Sequence, residues 1–372
     1  MPARTYRAAL VRRRSGPRFR VARVKLGLNL GYWGMGNDAD NLALAREADR
    51  LGYSVVWAAE AYGSDVPTVL AWVAAQTHRV DIGSAVMQIP ARMPTTTAMT
   101  AATLDTLSGG RFRLGLGVSG PQVSEGWYGV PFAKPLARTR EYVDIVRMAL
   151  ARERVRYAGS TYTLPLPDGP GKALQLTVHP AREHIPIYLG AVGPRNLELT
   201  GEIADGWLAI FYSAEHAGDL LPHVAAGRAK AGKTLDGFDV AVTASMSVGD
   251  DLRAAAAPLR AMAALYVGGM GSREQNFYNR LAVSMGYGDA AAQVQDRYLA
   301  RDYDGAAAAV PFEFIDRTAL LGPPGRIAER MAALAASGVT TLAVSPLAVT
   351  LDERLRALTT AAEALDKSGT AQ

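Results

Sequence analysis

Eight short apolar runs, each followed by a segment with helical patterning, constrain the fold of this 372-residue chain more than any other feature. Runs that are apolar along their whole length and alternate with helices are typical of a parallel sheet covered on both faces. Eight such units favour a closed (β/α)8 barrel over an open sheet. The runs lie at 24–30, 54–60, 80–89, 112–118, 185–191, 206–211, 238–248 and 340–346.

Two stretches interrupt this alternation. Residues 153–184 contain the turn signal Pro167-Asp168-Gly169, which predicts a hairpin. Residues 267–324 are rich in glycine, tyrosine and alanine, and they predict short helices. Long loops on barrels commonly form lids or subunit contacts. We therefore predict a TIM barrel with insertions after strands 4 and 7.

The charge of the chain is concentrated at its amino terminus. Residues 1–23 hold eight arginines and no acidic residue, so removing them changes the formal net charge from +5 to −3. We expect 1–23 to be a disordered extension and 24–372 to form one domain. The slightly acidic body gives no reason to expect nucleic-acid binding.

Cysteine is absent from the sequence, which excludes disulfides and thiolate metal sites and fits a cytoplasmic protein. The five histidines do not occur at paired ligand spacing, so we expect no metal site. The apolar runs are shorter than a membrane span, so we expect no membrane association.

Ligands of (β/α)8 barrels bind at the carboxyl ends of the strands. Here those ends are poor in titratable groups and rich in small residues, amides and aromatics, as in Asn29-Leu30-Gly31-Tyr32-Trp33 and Val118-Ser119-Gly120-Pro121. Small residues allow backbone amides to approach a ligand, and aromatic rings cover its faces. Such a site indicates that a bound cofactor supplies the chemistry.

A set of segments along the chain resembles the bacterial luciferase-like superfamily, in particular its coenzyme F420-dependent oxidoreductases. The segments are LGLNLGYWG, VVWAAEAY, IGSAVMQIPARMPTTTAM, RFRLGLGVSGP, PIYLGAVGPRNLELTGEIADGW and LLGPPGRIAERMAALAASGVTTLAV. The resemblance implies an oxidoreductase that transfers a hydride between the deazaflavin and a small organic substrate. It implies coenzyme F420 as the cofactor, with FMN as the alternative.

The resemblance also implies roles for single residues. A bulge in the third strand, often with a non-proline cis peptide bond, backs the central ring of the cofactor and maps onto Ala85-Val86. A glycine-containing turn at the start of a helix, ending in Gly193-Pro194, would hold the phosphate or ribityl end. The full predicted cofactor-binding set is Asn29, Glu60, Ser84, Ala85, Val86, Met87, Ser119, Gly120, Ala191, Val192, Gly193 and Pro194.

The sequence departs from its sugar-phosphate dehydrogenase relatives in one position. Those enzymes carry a proton-transferring glutamate after the Ser/Thr-Gly turn, where this chain has Pro121. The departure favours reduction of an activated double bond over oxidation of a sugar alcohol. Our catalytic candidates are Glu60, Tyr62 and Glu125, with Tyr32 as a further acid, and our substrate-pocket candidates are Tyr32, Trp33, Tyr62, Trp127 and Tyr128.

Three alternatives stay open at this point. The first is an FMN-dependent two-component monooxygenase that receives reduced flavin from a separate reductase. The second is a barrel glycosidase that uses Glu60 and Glu125, although the other strand ends offer no support for paired carboxylates. The third is a non-catalytic flavin- or deazaflavin-binding protein. For the enzyme we expect a small-molecule substrate and a homodimer formed through the barrel helices.

Overall fold

The computed structural model describes residues 23–34 and 38–372. Eight parallel strands form its central sheet, in which β1 pairs with both β2 and β8 and so closes the ring. The predicted (β/α)8 barrel is therefore confirmed. The strands are β1 (Lys25–Asn29), β2 (Val55–Ala58), β3 (Asp81–Ser84), β4 (Phe112–Gly117), β5 (Ile187–Gly190), β6 (Gly206–Ile210), β7 (Asp239–Val248) and β8 (Thr341–Pro346).

Eight helices cover the outside of the barrel. Each packs an apolar face against the sheet, as α1 does with Leu44, Ala45 and Ala48. Several begin with proline, which lacks the amide that a first helical turn leaves unpaired. The helices are α1 (Asp38–Leu51), α2 (Val66–Ala74), α3 (Pro94–Leu107), α4 (Pro135–Leu150), α5 (Pro194–Ile203), α6 (Ala217–Lys230), α7 (Pro324–Ala336) and α8 (Leu351–Lys367).

The insertion after β4 contains a short helix, Pro121–Gly126, and, beyond α4, a small hairpin. The chain turns at Pro167-Asp168, as the sequence indicated, but the hairpin strands are Tyr157–Ala158 and Thr163–Leu164, so the hairpin turn lies at 159–162 and the predicted hairpin position is wrong. The cause is the carboxylate of Glu141 in α4, which accepts hydrogen bonds from the backbone amides of residues 160, 161 and 162.

The insertion after β7 is larger than predicted and begins directly after that strand. Residues 251–266, expected to be a barrel helix, belong instead to a separate apolar cluster with Phe314 and Ile315. The strand Leu320–Gly322 pairs with the end of β7 and returns the chain to α7. The helical segments of the insertion are Leu252–Ala256, Leu259–Ala264, Leu265–Gly269 (a π-helical turn), Phe277–Ser284, Gly288–Leu299, Tyr303–Ala309 and Phe312–Thr318.

Aromatic and charged side chains fill the amino-terminal half of the barrel interior. The rings of Trp57 and Tyr188 meet edge to face with centroids 5.2 Å apart. Gly83 and Gly206 make room for them, because a Cβ atom at either position would lie 2.3 Å from a ring carbon. This packing leaves space for a ligand only toward the carboxyl ends of the strands.

Two further expectations concern membrane-spanning helices and metal sites. None of the helices in the described part of the chain is long and apolar enough to cross a membrane. Within the same residues, no cluster of three or more histidine, aspartate or glutamate side chains could hold a metal ion. The predicted disordered extension lies, apart from Arg23, outside the described residues.

Candidate cofactor and substrate cavity

A cavity of about 1230 Å³ opens at the carboxyl ends of the strands. The ends of β1, β4, β5 and β8 reach it through Asn29, Gly117, Gly190 and Ser345, and the insertion after β7 covers it from above with Tyr266 and other residues. This is the position at which (β/α)8 barrels bind their ligands.

A bulge after β3 forms one side of the cavity base. The peptide bond between Ala85 and Val86 is cis, as the resemblance implied. Ser84 anchors the bulge, since its Oγ donates to the carbonyl of Gly115 (2.8 Å) and accepts from the amide of the same residue (2.9 Å). A Cβ atom at position 115 would lie 1.8 Å from the Ser84 carbonyl oxygen, so the close approach of the two strands requires glycine here.

The side chain of Val86 lies across the ends of β4 and β5. A Cβ atom at Gly117 would be 2.5 Å from its Cγ2, and one at Gly190 would be 3.2 Å from its Cγ1. The two glycines therefore create the space that the valine occupies. Together with Ala85, Val86 gives the cavity an apolar base without projecting polar groups.

Glu60 lies at the end of β2 and is 5% exposed. Arg92 binds it through two hydrogen bonds, Nη2 to Oε1 at 2.7 Å and Nη1 to Oε2 at 2.9 Å. The backbone amide of Gln88 also donates to Oε2, at 2.9 Å. Both carboxylate oxygens are thus engaged, and the residue fixes the bulge segment to the end of β2.

The structure brings most of the predicted cofactor-binding residues to the cavity wall. Ser84 and Met87 are the exceptions, because both are fully buried behind the bulge. The predicted cofactor-binding residues that line the cavity are Asn29, Glu60, Ala85, Val86, Ser119, Gly120, Ala191, Val192, Gly193 and Pro194.

The predicted catalytic and substrate-pocket residues are more dispersed. Tyr32 and Tyr62 line the cavity, the latter at its rim with 59% exposure. The exposed carboxylate of Glu125 accepts a hydrogen bond from the backbone amide of Phe132 and does not line the cavity. The remaining three predicted residues, Trp33, Trp127 and Tyr128, also lie outside the lining.

An aromatic cluster from the insertion after β7 covers the cavity, and sequence reasoning assigned it no role. The rings of Tyr266 and Tyr278 are 4.9 Å apart, and Phe211 contacts both. Tyr32 lies close enough to Tyr266 for each side chain to affect the pKa of the other. Burial raises the pKa of Tyr32 above its ordinary value and raises that of Tyr278 to about 12, so both hydroxyls are protonated at neutral pH.

Several buried polar atoms around the cavity lack hydrogen-bond partners within residues 23–34 and 38–372. They are Oε1 of Gln88, Oδ1 of Asn196, Nδ2 of Asn41 and Nε of Arg354. An unpaired buried group of this kind costs about 1–3 kcal/mol. Native structures rarely keep such groups unless water or a ligand completes them.

These residues were not identified from the sequence, although one signal was present. Asn41 occupies an otherwise apolar position of the inward face of α1, where a buried polar residue is unexpected. His216 was also missed: it lines the cavity, with Nδ1 2.9 Å from Asp219 and Nε2 3.2 Å from the hydroxyl of Ser284.

Comparison with known proteins identifies the family. Residues 31–341 match the model of the luciferase-like monooxygenases. Over 331 residues the chain is 46% identical to a Mycobacterium tuberculosis protein whose name is that of a coenzyme F420-dependent oxidoreductase, with 87% of this chain and 95% of the relative covered. The chain belongs to the luciferase-like monooxygenase family, and the resemblance seen in the sequence is confirmed.

Two further similarities are to reductases. It is 31% identical over 306 residues to a 5,10-methylenetetrahydromethanopterin reductase of Archaeoglobus fulgidus, covering 81% of this chain and 87% of that one. The solved coenzyme F420-dependent tetrahydromethanopterin reductase of Methanopyrus kandleri superposes with a TM-score of 0.78 at 24% identity, covering 92% and 98% of the two chains. The latter similarity establishes a shared fold.

Proposed function

We propose that this protein is a coenzyme F420-dependent oxidoreductase that reduces an activated carbon–carbon double bond of a small organic substrate. The observation that carries the proposal is the apolar base at Ala85-Val86, bordered by an unpartnered acceptor at Gln88 Oε1. A planar heterocycle with ring N–H groups fits both features at once. The name of the Mycobacterium tuberculosis relative supports the choice of F420 over FMN.

The start of α5 suits the ribityl and phosphate end of the cofactor. Gly193 and Pro194 begin the helix without a side chain that blocks the approach, and Arg195 adds a positive charge at the cavity wall. Helix N-termini favour anions. The unpartnered Oδ1 of Asn196 accepts a hydroxyl donor, which a ribityl chain provides. We assign this wall to the ribityl and phosphate end.

The carboxylates of the cavity do not favour alcohol oxidation, which needs a free base close to the substrate hydroxyl. Among the described lining residues the carboxylates are Glu60 and Asp219. Both oxygens of Glu60 are held by Arg92 and Gln88, and Asp219 is exposed beside His216. Position 121 is proline, where the sugar-phosphate dehydrogenases carry glutamate.

Reduction of a double bond needs a hydride on one carbon and a proton on the next. When bound, reduced F420 supplies the hydride. We assign the proton to the hydroxyl of Tyr32, which lines the cavity and has its pKa raised by burial. Tyr266 lies near Tyr32 in the cavity lining. The aromatic cluster excludes water from this reaction.

The first test is a titration of oxidised coenzyme F420 into the protein, followed by the fluorescence of the deazaflavin. We expect micromolar binding and, with reduced F420, turnover of cyclohex-2-en-1-one but not formation of reduced F420 from glucose 6-phosphate. Tight F420 binding without turnover of any enone would favour the non-catalytic alternative. Binding of FMN with oxygen consumption, and no binding of F420, would favour the two-component monooxygenase.

The second test concerns the proton donor. Tyr32→Phe removes the proposed acid and should lower kcat for cyclohex-2-en-1-one about 100-fold, while the Kd for F420 stays within twofold. Tyr62→Phe at the exposed rim is the matched control and should retain most of kcat. Equal losses in the two variants would contradict the assignment to Tyr32.

A further inference from the structure

Two neighbouring helices present a polar side chain to the cavity where an apolar one is expected. On α1 the inward positions are Asn41, Leu44, Ala45 and Ala48. Asn41 is 3% exposed, lines the cavity, and its Nδ2 has no hydrogen-bond partner in the described structure. Such a residue weakens the folded protein unless something outside the chain pairs with it.

The second side chain belongs to α8. Arg354 precedes Ala357, Leu358 and Ala361 on the inward face of that helix, and it also lines the cavity. One of its terminal nitrogens pairs with Asp40 of α1, which precedes Asn41, while its Nε is buried without a partner in the described part of the chain. The ion pair therefore joins the two helices beside two buried N–H donors that lack partners in the described structure.

This pair of donors lies on the opposite side of the barrel from the proposed cofactor tail. Helices α1 and α8 follow β1 and β8, which are adjacent in the ring, whereas α5 follows β5, four strands away. Asn29 and Ser345 join the ends of β1 and β8 through a 3.0 Å hydrogen bond between their side chains. A molecule bound between the two walls would thus contact Asn41 and Arg354 with the end that is remote from Gly193.

The chemistry of the two donors selects the group they bind. Each offers an N–H, so the partner must be an acceptor. Because the carboxylate of Asp40 already balances the charge of Arg354, a second carboxylate would gain little, and an uncharged carbonyl oxygen fits better. The surrounding lining residues include Leu30, Leu44 and Leu347, which suit an apolar carbon skeleton.

We infer that Asn41 and Arg354 form a subsite for the carbonyl oxygen of an apolar ketone- or amide-bearing substrate. Assigning this oxygen to the substrate rests on the proposed function. Hydrogen bonds to a conjugated carbonyl draw electron density from the double bond, so the subsite would also favour hydride addition to it. The two residues are therefore specificity-determining for a reaction whose substrate they help to activate.

The test compares two small ring compounds that differ in one oxygen atom, 1-indanone and indane. Binding to the cofactor-free protein is measured by ligand-observed NMR for the wild-type protein and for Asn41→Leu. We expect the wild-type protein to prefer 1-indanone by about tenfold and the variant to lose this preference. The urea midpoint of the ligand-free variant should equal or exceed that of the wild type, because leucine removes an unpaired buried amide.

Asn196→Leu is the matched control, since it removes an unpartnered amide from the opposite wall. It should keep the preference for 1-indanone and weaken the binding of F420. The inference is overturned if the wild-type protein shows no preference, if Asn41→Leu keeps it, or if Asn41→Leu lowers the urea midpoint as a structural asparagine would. Failure of F420 to bind, with the ketone preference intact, would overturn the proposed function and leave the subsite standing.

Discussion

The two ends of the barrel interior differ in how their polar side chains are paired. At the amino end, the guanidinium of Arg113 contacts Asp81 at 2.8 Å and Asp239 at 3.5 Å. Asp239 also accepts hydrogen bonds from the hydroxyls of Tyr188, Thr340 and Thr341. At this end, the charged groups of the described structure find their partners within the chain.

At the carboxyl end, Asn41, Gln88 and Asn196 line the cavity, and each holds a buried polar atom without a partner among the residues described. The same fold could have paired them, as it paired the charges at the other end. We infer from this difference that one end of the barrel contributes stability, while the other gives up stability for the proposed ligand binding. Substitutions should therefore have opposite effects on folding at the two ends.

The largest effect is expected at the amino end. Arg113→Leu leaves the carboxylates of Asp81 and Asp239 close together without their cation, and should lower the free energy of unfolding by about 3–5 kcal/mol. Urea denaturation followed by circular dichroism measures this. Arg140→Leu, which breaks the half-exposed pair with Glu202, is the control and should cost less than about 1 kcal/mol. If the free energy of unfolding fell by a similar amount in both variants, the buried network would be no more stabilising than the surface ion pair.

A smaller effect of opposite sign is expected at the carboxyl end. Gln88→Leu removes an unpartnered acceptor, so the free energy of unfolding should stay constant or rise by up to about 1 kcal/mol. The Kd for F420 should increase about tenfold, because the ring loses a hydrogen bond. Both quantities are measured on the same preparation, by urea denaturation and deazaflavin fluorescence.

Asn276 supplies the matched control for this prediction. It is equally buried, but its Nδ2 donates to two backbone carbonyls and its Oδ1 accepts from two backbone amides. Asn276→Leu should therefore lower the free energy of unfolding by about 2–4 kcal/mol, since four buried hydrogen bonds to the backbone are lost. If Gln88→Leu were equally destabilising, the carboxyl end would not be built differently from the rest of the molecule.

The sequence was sufficient to predict the barrel, because strand and helix periodicities alternate eight times and each repeat reinforces the others. The family resemblance also implied the Ala85-Val86 bulge and the Gly193-Pro194 turn, where proline fits a first helical turn that needs no amide. The position of the hairpin was wrong because Glu141, distant in sequence from the turn, supplies the hydrogen bonds that fix it.

The polar side of the site could not be predicted in the same way. That Glu60 pairs with Arg92 depends on how far the segment after the bulge returns over β2, which no local pattern encodes. Tyr266 and Tyr278 belong to an insertion whose packing is set by its own apolar cluster. A binding role for a side chain such as Gln88 can be inferred only from the three-dimensional structure, which shows that its polar atom lacks a hydrogen-bond partner among the described residues.

The smallest effect, and the last way to sharpen the comparison, is the pH dependence of turnover. Burial raises the pKa of Tyr32 above 10, and the hydrogen bond from Tyr266 offsets this only in part. The hydroxyl should therefore keep its proton, and kcat for cyclohex-2-en-1-one should stay constant between pH 7 and about pH 10. A tyrosine with the ordinary pKa of about 10 would lose half of its donor form at the upper limit.

The same shift determines the sign of the effect on stability. Because folding disfavours the ionised form of Tyr32, its contribution to the free energy of unfolding is complete below pH 10 and is lost as the pH rises through the folded-state pKa. Tyr32→Phe should abolish this part of the alkaline loss and leave the stability at pH 7 nearly unchanged. Urea midpoints at pH 7, 9, 10 and 11 measure it. A decline of kcat that begins near pH 8 without a change in the urea midpoint would mean that another group donates the proton. The cavity would then not raise the pKa of Tyr32 above that of a tyrosine at the solvent-exposed rim.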